Sequence, residues 1–244
     1  MIKNCLVLNR VRLPVPQDAW PVPLDLTVGL QEVVLIENIG PNESLPLGEV
    51  AAALRRPLAG EVHYWDQDAL GLPREDIYLL RRRIAYLAPG MKLLSRLTLG
   101  ENIALGPSYY QGTSTQSVLE SHADLLERLA LHPFLSLLPQ NVDIKVYVRA
   151  LWARELIKLP ELIVAVKNDA WEPFAVPNEG ILALQDYLAH GGGAALILGR
   201  SHETFHHLAS RLLRYESGRL IPLPLEEPQG RPLTDYLPLV IGEE

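Results

Sequence analysis

The chain has 244 residues, 48% hydrophobic and 21% charged, the balance of a water-soluble globular protein with length for one large domain or a domain carrying an inserted lobe. A formal net charge of −7 argues against nucleic acid as the main partner, because binding a polyanion needs a basic face. The lone cysteine, Cys5, excludes an intramolecular disulfide and suits a reducing compartment.

The opening MIKNCLVLNRVRL is strand-like and lacks a small-residue cleavage site, so no leader is expected. Apolar runs such as LIVAV and AALIL are strand-length, far below the roughly 20 residues of a membrane span. Residues 5–13 and 24–28 read as paired edge strands around a turn rich in proline (Pro14, Pro16, Pro21, Pro23), since proline lacks a ladder donor. Next come a buried strand at 32–36, a Gly/Pro/Asn loop at 38–46, a helix over about 47–56 and a strand opening at Gly60. This unit, residues 31–62, has the order of a phosphate cradle, in which loop amides and a helix N-terminus face an anion. Its chemistry is missing: a working cradle places a lysine after the last glycine and then Ser/Thr for magnesium, yet no lysine occurs between Lys3 and Lys92.

A strand at 61–65, a short helix at 74–82 and a strand at 83–88 follow. Leucine spacing then predicts helices around 98–105 and 118–138, separated by the polar loop GPSYYQGTSTQ at 106–116. VYVRALWARELIKL is a further helix stopped by Pro160. Residues 161–166 and 194–199 are buried strands, 179–190 and 201–216 are helices, and SGRL opens a final strand. Helices alternating with buried strands indicate α/β architecture with a parallel sheet. The expected organisation is one domain over 1–222, with a core lobe (1–88 and 150–222), a helical lobe (89–149) and an irregular, Pro-rich acidic tail at 223–244.

Three passages in this order resemble the ATPase subunit of ABC transporters, over about residues 20–221. Glu32-Val-Val-Leu-Ile with Pro57-Leu-Ala-Gly-Glu-Val frames that family's P-loop unit. Leu80-Arg-Arg-Arg-Ile-Ala-Tyr-Leu and Leu93-Leu-Ser-Arg-Leu-Thr-Leu-Gly-Glu-Asn-Ile-Ala-Leu match the strand into the Q-loop and the passage after it. Arg149-Ala-Leu-Trp-Ala-Arg-Glu-Leu-Ile-Lys-Leu-Pro-Glu-Leu matches the helix leading into the Walker B strand. The resemblance implies a P-loop NTPase-like ABC ATPase fold, with a mostly parallel central sheet, an antiparallel β edge and an inserted helical lobe.

Laid on those anchors, the family's GPSGSGKST falls on residues 38–46, including Asn38, Gly40 and Asn42, with Ser44 at the lysine and Leu45 at the magnesium Ser/Thr. Pro89 stands at the Q-loop glutamine, and Val142-Asp-Ile-Lys-Val at the LSGGQ signature, whose amides clamp a partner's nucleotide. Val166 takes the Walker B aspartate, Lys167 the catalytic glutamate, and Arg200, or His202 after a two-residue shift, the switch histidine. Glu43 adds negative charge where phosphates would lie, and no aromatic is well placed to stack on adenine. The resemblance with these departures implies a pseudo-ATPase: no catalytic residues, no metal and no cofactor, weak ATP or ADP binding staying open. The implied role is a structural or regulatory subunit, cytoplasmic and peripheral at the inner face of the cell membrane. It would dock on a permease through 89–112 and pair as a homodimer or with an intact ABC ATPase subunit. The 93–102 passage looks most like bacterial lipid-type systems. Alternatives are a soluble binding or regulatory module on the same fold, or an ATP-hydrolysing subunit with unorthodox motifs.

Outside those motifs the plain structural readings stand first. The His202, His206 and His207 set reads as a solvated helix face rather than a metal site. Arg81-Arg82-Arg83 reads as a solvated helix end, and Cys5 as a buried strand residue.

Overall fold

The computed structural model describes residues 3–15, 20–167, 178–189, 193–200 and 203–225. Strand β1 (Asn4–Arg12) pairs antiparallel with β2 (Leu24–Gly29), as the alternating edge-strand pattern predicts. On its other side β1 pairs with β4 (Ala59–Tyr64), which carries the two-residue β5 (Gln67–Asp68). These four form a sheet of their own. The second sheet contains β3 (Val33–Glu37), β6 (Ile84–Leu87), β7 (Leu162–Val166), β8 (Ala194–Leu198), β9 (Arg211–Glu216) and β10 (Arg219–Leu223). Its order is β10-β9-β3-β8-β7-β6, and only the β9–β10 hairpin is antiparallel.

The parallel strands read as continuous apolar runs because both their faces are covered. Val34, Ile36, Leu162, Val164, Val166, Leu196 and Leu198 point into a core shared with the antiparallel sheet and helix α1 (Pro41–Ala51). The alternate residues Leu35, Ile163, Ala165 and Ile197 join a second core with α3 (Leu99–Gln111), α6 (Ile144–Leu156) and α7 (Asn178–Ala189). Cys5 lies in the first core, where burial, more than any charge, pushes its thiol up to about 12. It is a packing residue that stays protonated near neutral pH.

Four sequence expectations are corrected. The helix expected at 47–56 begins six residues earlier, at Pro41, and absorbs most of the expected 38–46 loop. The polar loop at 106–116 is helical to Gln111, with Pro107 buried inside α3 and a left-handed Gly112 ending it. The helix expected over 118–138 divides into α4 (Thr115–Ser121) and α5 (Ala123–Arg128), followed by two 3-10 turns. The helix expected over 201–216 is a 3-10 turn, Glu203–Leu208, leading into strand β9. Leucines at 208, 212 and 213 mimic helical spacing, but parallel pairing of 211–214 with β3 wins.

The arginine run is not a plain solvated helix end either. It closes α2 (Arg74–Arg82), where Arg81 donates to the Ala53 carbonyl and Arg82 lies over the Tyr110 ring. Arg83 grips Glu161 with two 2.6 Å bonds and stacks on Trp65. The run therefore ties α1, the antiparallel sheet and β7 together.

Asn102 holds the entry to the helical lobe. Fully buried, it accepts from the Leu94 amide and reaches the carbonyls of Leu94, Leu97 and Thr98. On the other face, α1 sits against β7 so closely that a Cβ on Gly48 would meet Val166 Cγ2 at 2.5 Å. Gly48→Val is expected to lower stability by about 1–3 kcal/mol through overpacking, read from the urea midpoint.

Candidate functional site

The carboxyl edge of an open parallel sheet is where such folds hold ligands. Here it gathers several of the positions singled out in the sequence. The Asn38 amide donates to the Arg200 carbonyl (3.2 Å), Ile39 N–H to Gly199 (3.3 Å), and Lys167 N–H to Leu198 (2.7 Å). Asn38, Arg200, Val166 and Lys167 are thus brought to one rim by the ends of β3, β8 and β7. Pro89 lies just past the end of β6, in the turn before the left-handed Gly90. His202 and the 168–177 segment lie outside the described residues.

At the centre of this rim is the N-terminus of α1. Pro41 occupies the first helical position, where its fixed φ fits and its missing N–H is no loss. The Glu43 and Ser44 amides both turn back to the Gly40 carbonyl, at 3.2 and 2.8 Å. Of the first-turn amides, Asn42 alone is left for an outside acceptor. The Glu43 carboxylate folds over Gly40, its Oε2 only 2.9 Å from where a Cβ on that glycine would stand. A negative side chain therefore occupies the positive end of the helix, a placement worth about 0.3–1 kcal/mol. Burial first, and the Glu43 charge second, raise the Tyr215 hydroxyl's pKa above its usual value, so this neighbour stays neutral.

The remaining positions are buried, apolar or already engaged. Ser44 is fully buried and its hydroxyl has no hydrogen-bond partner. Leu45 is half-buried and packs against the first core. Val166 is 1% exposed within that core. The Asn38 side chain is committed to the Tyr215 carbonyl at 3.0 Å, with its backbone in the left-handed region. Trp20 is buried against the Tyr215 ring at 4.7 Å, which leaves it no face for a base. His206, on the same rim, pairs with Glu37 at 2.5 Å. Among the described residues no cluster of three or more His, Cys, Asp or Glu is arranged to hold a metal.

The second helix start of interest is α6. Asp143 caps it, its carboxylate accepting from the Lys145 and Val146 amides at 2.8 and 3.0 Å. Val142–Val146 is the stretch aligned with the signature, and here a carboxylate of the chain itself takes two of the helix's free donors, whereas at α1 Glu43 only lies beside the helix start. Sequence reasoning passed over both helix starts. Gly-Pro-Asn-Glu and Asp-Ile-Lys-Val each carry a helix-start signal, a proline at the first position with an acid two residues on, and an aspartate before an apolar-periodic run.

Among solved structures, the dimeric bacterial ABC transporter cassette MJ0796 matches 91% of this chain and 99% of its own, at TM-score 0.76 and 18% identity. The chain has the ABC ATPase fold. In sequence it is similar to the methionine import ATP-binding protein MetN of Rhizobium johnstonii, 28% identical over 201 residues, covering 81% of this chain. The macrolide export ATP-binding/permease protein MacB of Syntrophobacter fumaroxidans is 25% identical over 201 residues, covering 82% of this chain. The match spans 54% of that MetN and 28% of that MacB, so the chain accounts for only part of these curated relatives. No family model matches the chain. Both relatives are named as ATP-binding components of transport systems, and this similarity supports kinship with the ATP-binding subunits of ABC transporters.

Two substitutions test how the ABC rim is built. Ser44→Ala is expected to be neutral or stabilising by up to about 1–2 kcal/mol, since it deletes an unpartnered buried hydroxyl and improves helix propensity. Asp143→Ala is expected to cost about 0.5–2 kcal/mol by uncapping α6. Chemical denaturation of both variants reads the contrast.

Proposed function

We propose that this chain is a catalytically degenerate ATP-binding-cassette subunit, a structural or regulatory component of a membrane transport complex. The observation that carries this reading is the first turn of α1. Where a phosphate cradle needs free amides, a lysine and a magnesium ligand, this chain has Pro41, two amides bonded to Gly40, a buried Ser44 and an apolar Leu45. Magnesium–nucleotide does not fit these residues, and no catalytic step is assigned to them.

Phosphoryl transfer depends on positioning and on neutralising phosphate charge. Loss of one such donor typically costs about 100-fold or more in rate. With lysine, metal ligands and general base absent together, hydrolysis falls to background. Pure protein with magnesium and ATP should show no turnover above a protein-free blank. Turnover abolished by changing Ser44 or Asn42 would overturn the proposal.

In this reading the chain sits at the inner face of the cell membrane and docks on a permease through 89–112. It pairs with a second copy or with an intact ABC ATPase subunit. The wording of 93–102 favours a lipid-type system. The docking claim is supported by exposed apolar side chains on this stretch: Leu94 is 53%, Leu105 44%, Tyr109 82% and Tyr110 48% exposed. No helix among the described residues is long and apolar enough to cross a membrane, so membrane attachment by these residues would run through a partner. A tagged chain should co-purify with a polytopic membrane protein, and Leu105→Glu with Tyr109→Glu should cut that recovery about tenfold or more, as loss of interface anchors does. Recovery of the chain without any membrane partner would favour a soluble regulatory module on the same fold.

A further inference from the structure

A cavity lies at the opposite end of α1, away from the rim. It measures about 380 Å³ and is walled by the C-terminal end of α1, the loop after it, the β4–β5 hairpin and α2. We propose that this cavity binds an organic phosphate, a phosphate ester carried on a small apolar body.

Charge makes the first argument. Arg55, Arg56, Arg74 and Arg81 line the cavity, and no carboxylate does. Four guanidinium groups around one hollow run against the sign of a chain with 22 basic and 29 acidic residues. Arg55 alone among them has a carboxylate partner, Glu49 at 3.2 Å. Arg56 is exposed and has no carboxylate partner among the described residues. Arg74 and Arg81 flank the Tyr78 ring, 5.7 and 5.8 Å from its centre, on the same face of α2 two turns apart. After Glu49 is counted, about three positive charges remain, which suits a phosphate monoester of charge near −2 at neutral pH better than a carboxylate.

The structural duties of this region leave the arginines available. The last carbonyls of α1 already have donors. Tyr64 Oη donates to Val50 and Ala51, and the Leu54 and Arg55 amides donate to Glu49. Arg81 gives one Nε–H to the Ala53 carbonyl at the helix end, and Arg74 gives its Nε–H to Tyr78 Oη at 3.0 Å. A guanidinium has five N–H donors in a planar fork matched to phosphate oxygens, so each of these arginines keeps donors beyond those bonds. The walls between the charges are apolar, from Val50, Leu54, Pro57, Val62 and Ile77. A few charged groups set in apolar walls, at a volume within the ~300–1,000 Å³ of ligand sites, is the anatomy of a small-molecule pocket.

The phosphate could be free or belong to a lipid headgroup, and one experiment with two arms separates them. Phenyl phosphate is titrated into the pure protein at low salt by calorimetry, because salt screens such contacts. In parallel, the protein is floated with phosphatidylcholine vesicles with and without phosphatidic acid. Arg56→Gln with Arg74→Gln is the test variant, since both side chains are exposed and the one hydrogen bond at stake, Arg74 to Tyr78, lies within α2. Arg10→Gln with Arg219→Gln, both exposed and away from the cavity, is the charge-matched control. Saturable phenyl phosphate binding weakened about tenfold or more in the test variant, and unchanged in the control, supports a soluble ester. Flotation dependent on phosphatidic acid, lost in the test variant alone, supports a headgroup. No saturable binding together with no such flotation, or signals indifferent to the test variant, overturns the proposal. The outcome is independent of any nucleotide result at the rim.

Discussion

The start of α1 at Pro41 sets the character of this molecule. A helix can be lengthened at its N-terminus only by consuming the residues before it, and here those are the residues that would otherwise wrap an anion. Three constraints hold the start in place. Pro41 is pre-set for the first helical position, Gly40 takes two returning amides, and Gly48 lets the helix lie directly on Val166 at the end of β7. Moving the helix start forward would expose buried Ser44 and strip the apolar contacts of Leu45 from the first core.

Magnitudes show which feature matters most for nucleotide chemistry. The Glu43 and Asp143 carboxylates at two helix starts are each worth on the order of 1 kcal/mol, about a fivefold barrier to an outside anion. A micromolar nucleotide site is worth roughly 8 kcal/mol. The intrinsic carboxylates therefore hinder an outside phosphate without deciding the matter. In the proposed reading, what decides it is that the 38–46 loop has no lysine and no magnesium ligand to supply that energy, together with amides already bonded to Gly40. The scaffold does not depend on nucleotide chemistry. Asn102, the Arg83–Glu161 pair and the two cores flanking the parallel sheet all depend on packing and local hydrogen bonds.

The α/β class and nearly every strand were legible in the sequence, because the buried strands are unbroken Val/Ile/Leu runs and the edge strands alternate. The errors share a cause. Pro46 and Pro107 belong to stretches that read as loops, yet each sits inside a helix that tertiary contacts hold. Asn42, whose carbonyl lost its helical donor to Pro46, is exposed and so is solvated. Strand β9 was hidden because its pairing partner, β3, lies about 177 residues away, and no local pattern announces it. In the 38–46 loop, the lack of a lysine was plain from the sequence. The folding of the loop into α1, and of Glu43 over Gly40, required three-dimensional contacts. The roles of Arg81 and Arg83 likewise rest on partners brought near by folding, Ala53, Trp65 and Glu161.

The most direct test of this account is the backbone chemical shifts of Asn42 to Leu45, recorded by NMR with and without magnesium–ATP. The account predicts helical shifts from Asn42 onward, unmoved by nucleotide. Loop-like shifts at these residues that become ordered in a saturable, magnesium-dependent way would contradict it.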